Sequence, residues 1–168
     1  MMGKTLIAYF SRKGENYVAG QIRHLEKGNT EIVAKKIQNL IGGDLYEIKP
    51  VIPYADDYDT CIQQAKQDLN ENKRPLIATL LPNLEGYETI YIGYPNYWGT
   101  MPMHVFTFLE EQNLKDKHIK PFCTHEGSGM GHSESDLIQI CQDAYLEKGL
   151  AIIGSNVSTC DDLLRRWV

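Results

Sequence analysis

The stretch TIYIGYPNYWGTMPMHVFTFLEEQ, residues 89–112, contains one complete strand–loop–helix unit. Its first six residues are apolar and rich in β-branched and aromatic side chains, which is typical of a buried strand. Residues 102–112 indicate a helix that begins with proline, a residue that the first helical position tolerates. The loop between them carries Tyr97 and Trp98 side by side, and turn formation does not explain that pair.

Similar units follow one another along the whole chain. The predicted strands are 4–10, 44–49, 89–94, 117–124 and 150–154, and the predicted helices are 30–43, 56–73, 102–112, 133–149 and 159–168. Strands separated by helices predict βαβ units with right-handed crossovers. The fold class is therefore predicted as α/β: a five-stranded parallel sheet in the order 2-1-3-4-5 inside a doubly wound three-layer α/β/α sandwich. The length of 168 residues suits a single domain, 1–168.

Three local signals refine this prediction. Gly42 and Gly43 are expected to end the first helix. Ser133 and Asp136 have the spacing of a helix cap, so they are expected to open the helix at 133–149, and Gly149 is expected to close it. Pro121 lacks an N–H group, which predicts an irregular or edge-facing position in its strand.

Composition narrows the class of protein. Hydrophobic residues make up 42% of the chain and the formal net charge is −5, which argues against binding to nucleic acid. No apolar run approaches the roughly 18 residues of a membrane span, and the N-terminus is predicted to be a core strand rather than a signal peptide. The four cysteines form no CxxC motif, so we expect free thiols, no metal site and a cytoplasmic location.

In this fold, ligands bind beyond the carboxyl ends of the strands, at the point where the strand order reverses. The loop after the first strand is long, about twenty residues, and ends in KGNT (27–30) at a helix start. Glycine beside free helical N–H groups favours an anion, and the hydroxyls of Ser11 and Thr30 can add donors. Ser11, Gly28, Asn29 and Thr30 are therefore predicted to bind a phosphate, although Asn29 or Thr30 could serve only as a helix cap.

The loops after the third and fourth strands complete the predicted site. Tyr97 and Trp98 could pack in the core, form an oligomer contact or stack on a planar ligand. The loop THEGSGMGHS (124–133) has three glycines, and its exposed N–H groups suit the polar edge of a flat ligand. A phosphate, a flat ring and a polar ring edge together describe flavin mononucleotide (FMN). A dinucleotide is less favoured because no G-x-G-x-x-G follows the first strand.

The motifs FSRKGENY, GNTEIVA, GYPNYWGTMP and PFCTHEGSG resemble the flavodoxin family, in a branch of small bacterial proteins with an insertion of about residues 13–26 in the phosphate loop. The resemblance covers almost the whole chain and implies non-covalently bound FMN. It implies phosphate contacts from Ser11, Gly28, Asn29 and Thr30; ring contacts from Pro95, Asn96, Tyr97, Trp98 and Gly99; and contacts to the pyrimidine edge from Thr124, His125, Glu126, Gly127, Ser128 and Gly129. The insertion would bring Arg12, Lys13 and Asn16, with Glu15 and Tyr17, near the phosphate or the ring.

The resemblance implies electron transfer by the flavin, with a redox partner protein or a small-molecule acceptor. An NAD(P)H-dependent quinone reductase is the alternative, because a flavin site can bind two substrates in turn. A non-catalytic binding module of the same fold is the third possibility. Trp98 is favoured for the ring side and a protonated His125 is a hypothesis for tuning the potential. Neither nucleic acid nor membrane is expected as a partner, and a monomer and a homodimer remain equally open.

Overall fold

The computed structural model describes residues 3–80 and 82–168. The strands are β1 (Lys4–Tyr9), β2 (Gly14–Val18), β3 (Gln21–Leu25), β4 (Asp44–Glu47), β5 (Tyr87–Pro95), β6 (His118–His125), β7 (Tyr145–Leu146) and β8 (Leu150–Ile153). The α-helices are α1 (Asn29–Ile41), α2 (Tyr58–Asn70), α3 (Met103–Glu110), α4 (Ser133–Ile140) and α5 (Asp161–Trp167), and a 3₁₀-helix spans Gly154–Thr159. Within the described residues, no helix is long and apolar enough to cross a membrane.

The central sheet is parallel and has the predicted order. Its path is β4-β1-β5-β6, and β6 then pairs with β7 near its start and with β8 further along. The five predicted strands are β1, β4, β5, β6 and β8, so the order 2-1-3-4-5 is confirmed, with β7 as an additional short strand. The strand order reverses between β1 and β5, where a ligand crevice opens in folds of this kind.

Both faces of the sheet are covered, because successive strand residues point to opposite sides. Leu6 and Ala8 pack into one core with residues of α3 and α4, whereas Ile7 and Tyr9 pack into a second core with α1 and α5. Strands buried on both faces need near-continuous apolar sequence, which explains the apolar runs found in the sequence. The carboxyl ends of the strands therefore emerge between two helical layers.

The segment after β1 is a second structural unit rather than a loop. Strands β2 and β3 form an antiparallel hairpin in a separate two-stranded sheet, paired from Gly14↔Leu25 to Val18↔Gln21. Its turn has positive φ at Ala19 (51°) and Gly20 (83°), the geometry of a type I′ turn. The insertion predicted at about residues 13–26 thus corresponds to this hairpin. The alternation of side chains in ENYV and QIRH was too short to predict it.

The helix predicted at 133–149 is shorter than expected. It ends at Ile140, and the chain then forms a turn and β7, so Gly149 does not close a helix. The predicted Ser133–Asp136 cap is also wrong, because Ser133 already lies inside the helix. Its buried hydroxyl donates to the Met130 carbonyl (2.6 Å) and bonds the Tyr94 hydroxyl (2.8 Å), so tertiary contacts use the group that a cap would need.

Pro121 lies in a strand that has neighbours on both sides, not in an edge strand. It pairs with Ile92 of β5, and on its other side it falls between the residues that pair with β7 and those that pair with β8. A missing N–H group is tolerated at such a gap. The prediction of an irregular position is therefore confirmed, because Pro121 lies at a gap in the strand pairing. The alternative of an edge-facing position is wrong.

Buried His104 gives a pH-dependent stability that can be tested. It is 1% exposed and stacks on Phe10 (5.2 Å between ring centroids), and burial lowers its pKa from 6.5 to about 4. As the pH falls from 6.5, the unfolded chain takes up this proton before the folded chain does. The free energy of unfolding should therefore fall by up to about 3 kcal/mol between pH 6.5 and pH 4 because of this residue.

Urea denaturation at several pH values, on the wild type and on His104→Gln, measures this contribution. The variant keeps a polar side chain that does not titrate, so its free energy of unfolding should depend less steeply on pH across that interval. Equal slopes for the two proteins would contradict the assignment.

Candidate functional site

A cleft of about 550 Å³ opens at the carboxyl edge of the sheet. The segments after β1, β5 and β6 form it together with the hairpin and the first half of α2. Its lining residues are Arg12, Asn16, Tyr17, Asn29, Thr30, Tyr58, Cys61, Ile62, Ala65, Pro95, Asn96, Tyr97, Trp98, Gly99, Thr124, His125, Glu126, Ser128 and Gly154. This size falls in the usual range for cofactor pockets.

The start of α1 forms one end of the cleft. Gly28 is required there, because a Cβ on this residue would collide with the Ser11 hydroxyl and lie 2.6 Å from the Arg12 carbonyl oxygen. Ser11 Oγ accepts a hydrogen bond from the Glu31 N–H (3.0 Å). Within the described residues, the amides of Asn29 and Thr30 make no hydrogen bond to the protein. Free N–H groups at a helix N-terminus favour an anion.

Thr30 and Thr124 connect this end of the cleft to β6. Their hydroxyl oxygens lie 2.8 Å apart, and both side chains are buried. The bond ties the first turn of α1 to the carboxyl end of β6. Neither Asn29 nor Thr30 caps α1. Gly28 is the N-cap residue, and no side chain makes a capping hydrogen bond there.

Glu126 lies beside the start of α1. A Cβ on Gly154 would be 2.5 Å from Asn29 Nδ2 and 2.7 Å from Glu126 Oε1, so these two side chains flank the same small space. Oε1 is buried and has no hydrogen-bond partner among the described residues, while Oε2 accepts from the Ala19 N–H at 3.4 Å. The carboxylate therefore joins the hairpin turn to the α1 end of the cleft.

The loop after β5 is a tight turn held by the side chain of Asn96. Tyr97 and Thr100 exchange two backbone hydrogen bonds, and Trp98 (φ 57°) and Gly99 (φ 90°) between them have the positive φ values of a type I′ turn. Asn96 Oδ1 accepts from the Gly99 N–H (2.9 Å). The left-handed conformation costs a non-glycine residue roughly 1–2 kcal/mol. Trp98 adopts this conformation, so the turn is less stable than it would be with glycine at this position.

The two adjacent aromatic residues point in different directions. Trp98 is 45% exposed at the rim, where its Nε1 donates to the Ile62 carbonyl (2.7 Å). Lys66 Nζ lies 4.6 Å from its ring centroid, a cation–π contact. The Tyr97 ring packs inward, edge-on to Phe10 at 6.0 Å, and its buried hydroxyl has no partner among residues 3–80 and 82–168. The preference for Trp98 as the stacking residue stays a prediction.

The loop after β6 presents a neutral histidine. His125 Nδ1 accepts a hydrogen bond from the Gly127 N–H (2.9 Å), so this nitrogen carries no proton. Burial lowers the His125 pKa, and the neighbouring Glu126 only partly opposes that effect. The structure therefore argues against the hypothesis of a protonated His125 at neutral pH. Asn96 Nδ2 bonds the Gly129 carbonyl (2.9 Å) and so joins this loop to the turn after β5.

Thirteen of the eighteen predicted site residues line the cleft, and Ser11, Lys13, Gly28, Gly127 and Gly129 do not. Ser11 and Gly28 support the start of α1 from behind. Lys13 is exposed and lines a different depression with residues such as Glu26 and Asp57, so its predicted place near the phosphate or the ring is wrong.

Helix α2 contributes a wall of the cleft that was not predicted from the sequence. Tyr58, Cys61, Ile62 and Ala65 of this helix line the cleft, as does Gly154 after β8. The helix resembles an ordinary polar amphipathic helix in sequence, and only the spacing of Tyr58, Cys61, Ile62 and Ala65 could have indicated a common face. No group of three or more His, Cys, Asp or Glu side chains that could hold a metal ion occurs in the described part of the chain.

The hairpin is fastened to α2 and closes one side of the cleft. Tyr17 stacks on Tyr58 with 6.3 Å between ring centroids, and Glu15 Oε2 accepts from the Tyr58 N–H (2.7 Å). Arg12 Nη2 donates to the Asp56 carbonyl (2.8 Å). Together with the Glu126–Ala19 bond, these contacts attach both ends of the hairpin.

The chain matches one family model and several solved structures. The family model described as flavodoxin matches residues 4–168. A flavoprotein structure from Bacteroides eggerthii is 29% identical, with a TM-score of 0.74, and covers 98% of this chain and 99% of that one. One from Bacteroides uniformis is 28% identical, with a TM-score of 0.77, and covers 97% and 98%.

A Lactobacillus acidophilus flavoprotein, solved in complex with FMN, is 22% identical, with a TM-score of 0.69 and 99% coverage of both chains. At that identity the match shows the fold alone. The curated proteins compared with the chain gave no match.

The bond between Thr30 and Thr124 can be tested by a double-mutant cycle. Thr30→Val or Thr124→Val alone leaves the other buried hydroxyl without its partner and should lower the free energy of unfolding by about 1–3 kcal/mol. The double variant should lose less than the sum of the two single losses, because no unpaired hydroxyl remains. Urea denaturation measures all four proteins. Strictly additive losses would show that the two hydroxyls are not coupled.

Proposed function

We propose that this chain, which belongs to the flavodoxin family, binds FMN non-covalently in the cleft and serves in electron transfer. The observation that carries the proposal is the start of α1, whose free amides open onto the cleft where the strand order of the sheet reverses. An anion-binding helix terminus next to aromatic walls matches a ligand with a phosphate and a flat ring.

The residues present fit the phosphate end of the cofactor. Gly28 lets the backbone lie against Ser11 and Arg12, where a Cβ would not fit. The amides of Asn29 and Thr30 and the side chain of Asn29 supply neutral donors. The Glu126 carboxylate lies next to these donors, so it disfavours a second negative charge and is expected to limit the affinity for the phosphate.

The loops after β5 and β6 fit the ring. Pro95, Asn96, Tyr97, Trp98 and Gly99 would lie against its flat face, and Thr124, His125 and Ser128 would meet its polar edge. The Glu126 carboxylate, predicted at that edge, lies instead beside Asn29 at the phosphate end. Asn96 holds the two loops at a fixed separation through its bonds to Gly99 and Gly129. When bound, FMN supplies one- and two-electron transfer. The reduction potential of the bound flavin would then depend on its burial, on the neutral His125 and on the net negative charge of the protein.

We also propose a cytoplasmic location, supported by four free cysteines that are all buried.

Replacing Asn29 by aspartate, which has the same shape but carries a charge, tests the proposed position of the FMN phosphate. Asn29→Asp places a carboxylate at the start of α1 and should weaken FMN binding by at least about tenfold, because like charges lie a few ångströms apart. Riboflavin, which lacks the phosphate, should lose much less affinity. Titration followed by flavin fluorescence measures both dissociation constants.

Asn113→Asp is the matched control, since Asn113 is exposed between α3 and β6, at the opposite edge of the sheet. It should leave both affinities unchanged. Failure of the wild-type protein to bind FMN would refute the proposed function. Equal losses for FMN and riboflavin in Asn29→Asp would refute only the placement of the phosphate.

A second candidate function is a reductase that transfers electrons from NAD(P)H to a quinone or a similar small molecule. The observation that favours it is the hairpin, which encloses the cleft on the α2 side and so walls off space beside the predicted ring position. Steady-state oxidation of NADH or NADPH in the presence of a quinone separates the two functions. Saturable turnover above that of free FMN would support the reductase, and the absence of such turnover would support a carrier for protein partners.

A further inference from the structure

The Arg12 guanidinium lies on the α2 side of the cleft. Its Nε donates to the Glu15 carbonyl (2.9 Å) and its Nη2 to the Asp56 carbonyl (2.8 Å). A guanidinium has five N–H donors, so these two bonds leave the others without an acceptor in the described part of the chain. Arg12 lines the cleft, and the remaining donors can therefore meet a ligand.

Two acidic residues that neighbour Arg12, Asp57 and Glu15, form hydrogen bonds to other groups. The bonds from Thr60 lower the Asp57 pKa, and the Arg12 charge still contributes to that shift. Asp57 Oδ2 accepts from the N–H (2.9 Å) and the hydroxyl (2.6 Å) of Thr60 and so caps α2. Glu15 Oε2 accepts from the Tyr58 N–H. Arg12 forms no ion pair within the described residues. A partly buried cation that lacks an acidic partner is poised to bind an anion.

Two phenols and a thiol line the same cleft as this cation. Burial raises the pKa values of Tyr97, Tyr58 and Cys61, and the positive charge of Arg12 acts on all three in the opposite direction. All four side chains line the cleft. The Tyr97 hydroxyl is buried without a hydrogen-bond partner, and such a group costs stability unless a ligand or water satisfies it. Because it stays protonated, it can donate to an oxygen.

The walls of this region suit a flat molecule. Tyr17 and Tyr58 are stacked along the hairpin side, with 23° between their rings, and Trp98 stands at the rim. Aromatic side chains of this kind favour planar ligands. A guanidinium binds the two oxygens of a carboxylate in a matching planar geometry.

We propose that the space between Arg12, Tyr58 and Tyr97, called the arginine pocket below, binds the carboxylate of a planar organic molecule that lies beside the cofactor. The inference rests on the proposed function only for the presence of that cofactor. The arginine pocket is formed by the Arg12 side chain, Tyr58 of α2 and Tyr97 in the turn after β5. The proposed phosphate position is formed by the start of α1 with Ser11 and Gly154, so the two anion sites use different side chains and backbone groups.

Benzoate and benzamide are the probes, since they share a ring and differ in charge. Each is titrated into FMN-loaded protein, with the change in the visible flavin spectrum and calorimetry as independent measures of binding. Benzoate should bind more tightly than benzamide. Arg12→Gln should raise the benzoate dissociation constant by about 10- to 100-fold, as expected for a lost charge-assisted hydrogen bond, and should change the benzamide value much less.

Three further variants make the test specific. Lys13→Gln removes the same charge one residue away, outside the cleft, and should leave benzoate binding unchanged. Tyr97→Phe removes only the unpaired hydroxyl and should weaken both probes. Arg12→Lys keeps the charge, so it should retain part of the benzoate affinity even if Arg12→Gln is poorly folded.

Equal binding of benzoate and benzamide to the wild type would overturn the proposal. So would an Arg12→Gln variant in which the FMN dissociation constant rises as much as that of benzoate, because Arg12 would then serve the cofactor. If the protein does not bind FMN at all, calorimetry of benzoate with the same protein still tests the arginine pocket, and the two proposals fail separately.

Discussion

The pairing of β5 with β6 requires that residue 93, a glycine in β5, has no side chain. A Cβ at this position would collide with the ring of Phe122, which is fully buried on the neighbouring strand β6. With glycine there, the Phe122 ring covers β5 and packs into the core beneath α1 and α5. The two strands can then stay paired in register up to Pro95↔Thr124. The loops that form the cleft begin at those two residues, so the geometry of the site follows from this contact.

Hydrogen bonds from short polar side chains then fix the loops to one another. Thr30 joins α1 to β6 through Thr124, and Asn96 joins the turn after β5 to the loop after β6. These groups are buried or partly buried, where a broken bond is costly. The hairpin is attached by a short bond between Glu15 and the Tyr58 N–H (2.7 Å) at one end and by a longer, exposed bond from Ala19 to Glu126 (3.4 Å) at its turn.

The loops of the site could be placed together from the sequence for one physical reason. Parallel strands end at a common edge, so polar loops after the first, third and fourth strands must meet there whatever their detailed conformation. Thr30, Tyr97 and His125 could be placed in one cleft on this ground. Lys13 could not be placed correctly, because the depression that it lines is formed by the hairpin together with residues 56–57, which are far away in sequence. Tyr58 and Cys61 were missed because nothing in the sequence of a polar helix indicates which neighbour it packs against.

The five main strands, their parallel sheet and the edge at which a ligand would bind could be predicted from the sequence, because they follow from the periodicity of apolar residues and from chain connectivity. Which polar groups are left without partners depends on the folded chain. Arg12 has no acidic partner because Asp57 and Glu15 bond to the first turn of α2. The Tyr97 hydroxyl has none because its ring packs inward against Phe10. Such outcomes depend on distances between residues far apart in the chain, and local sequence carries no information on them.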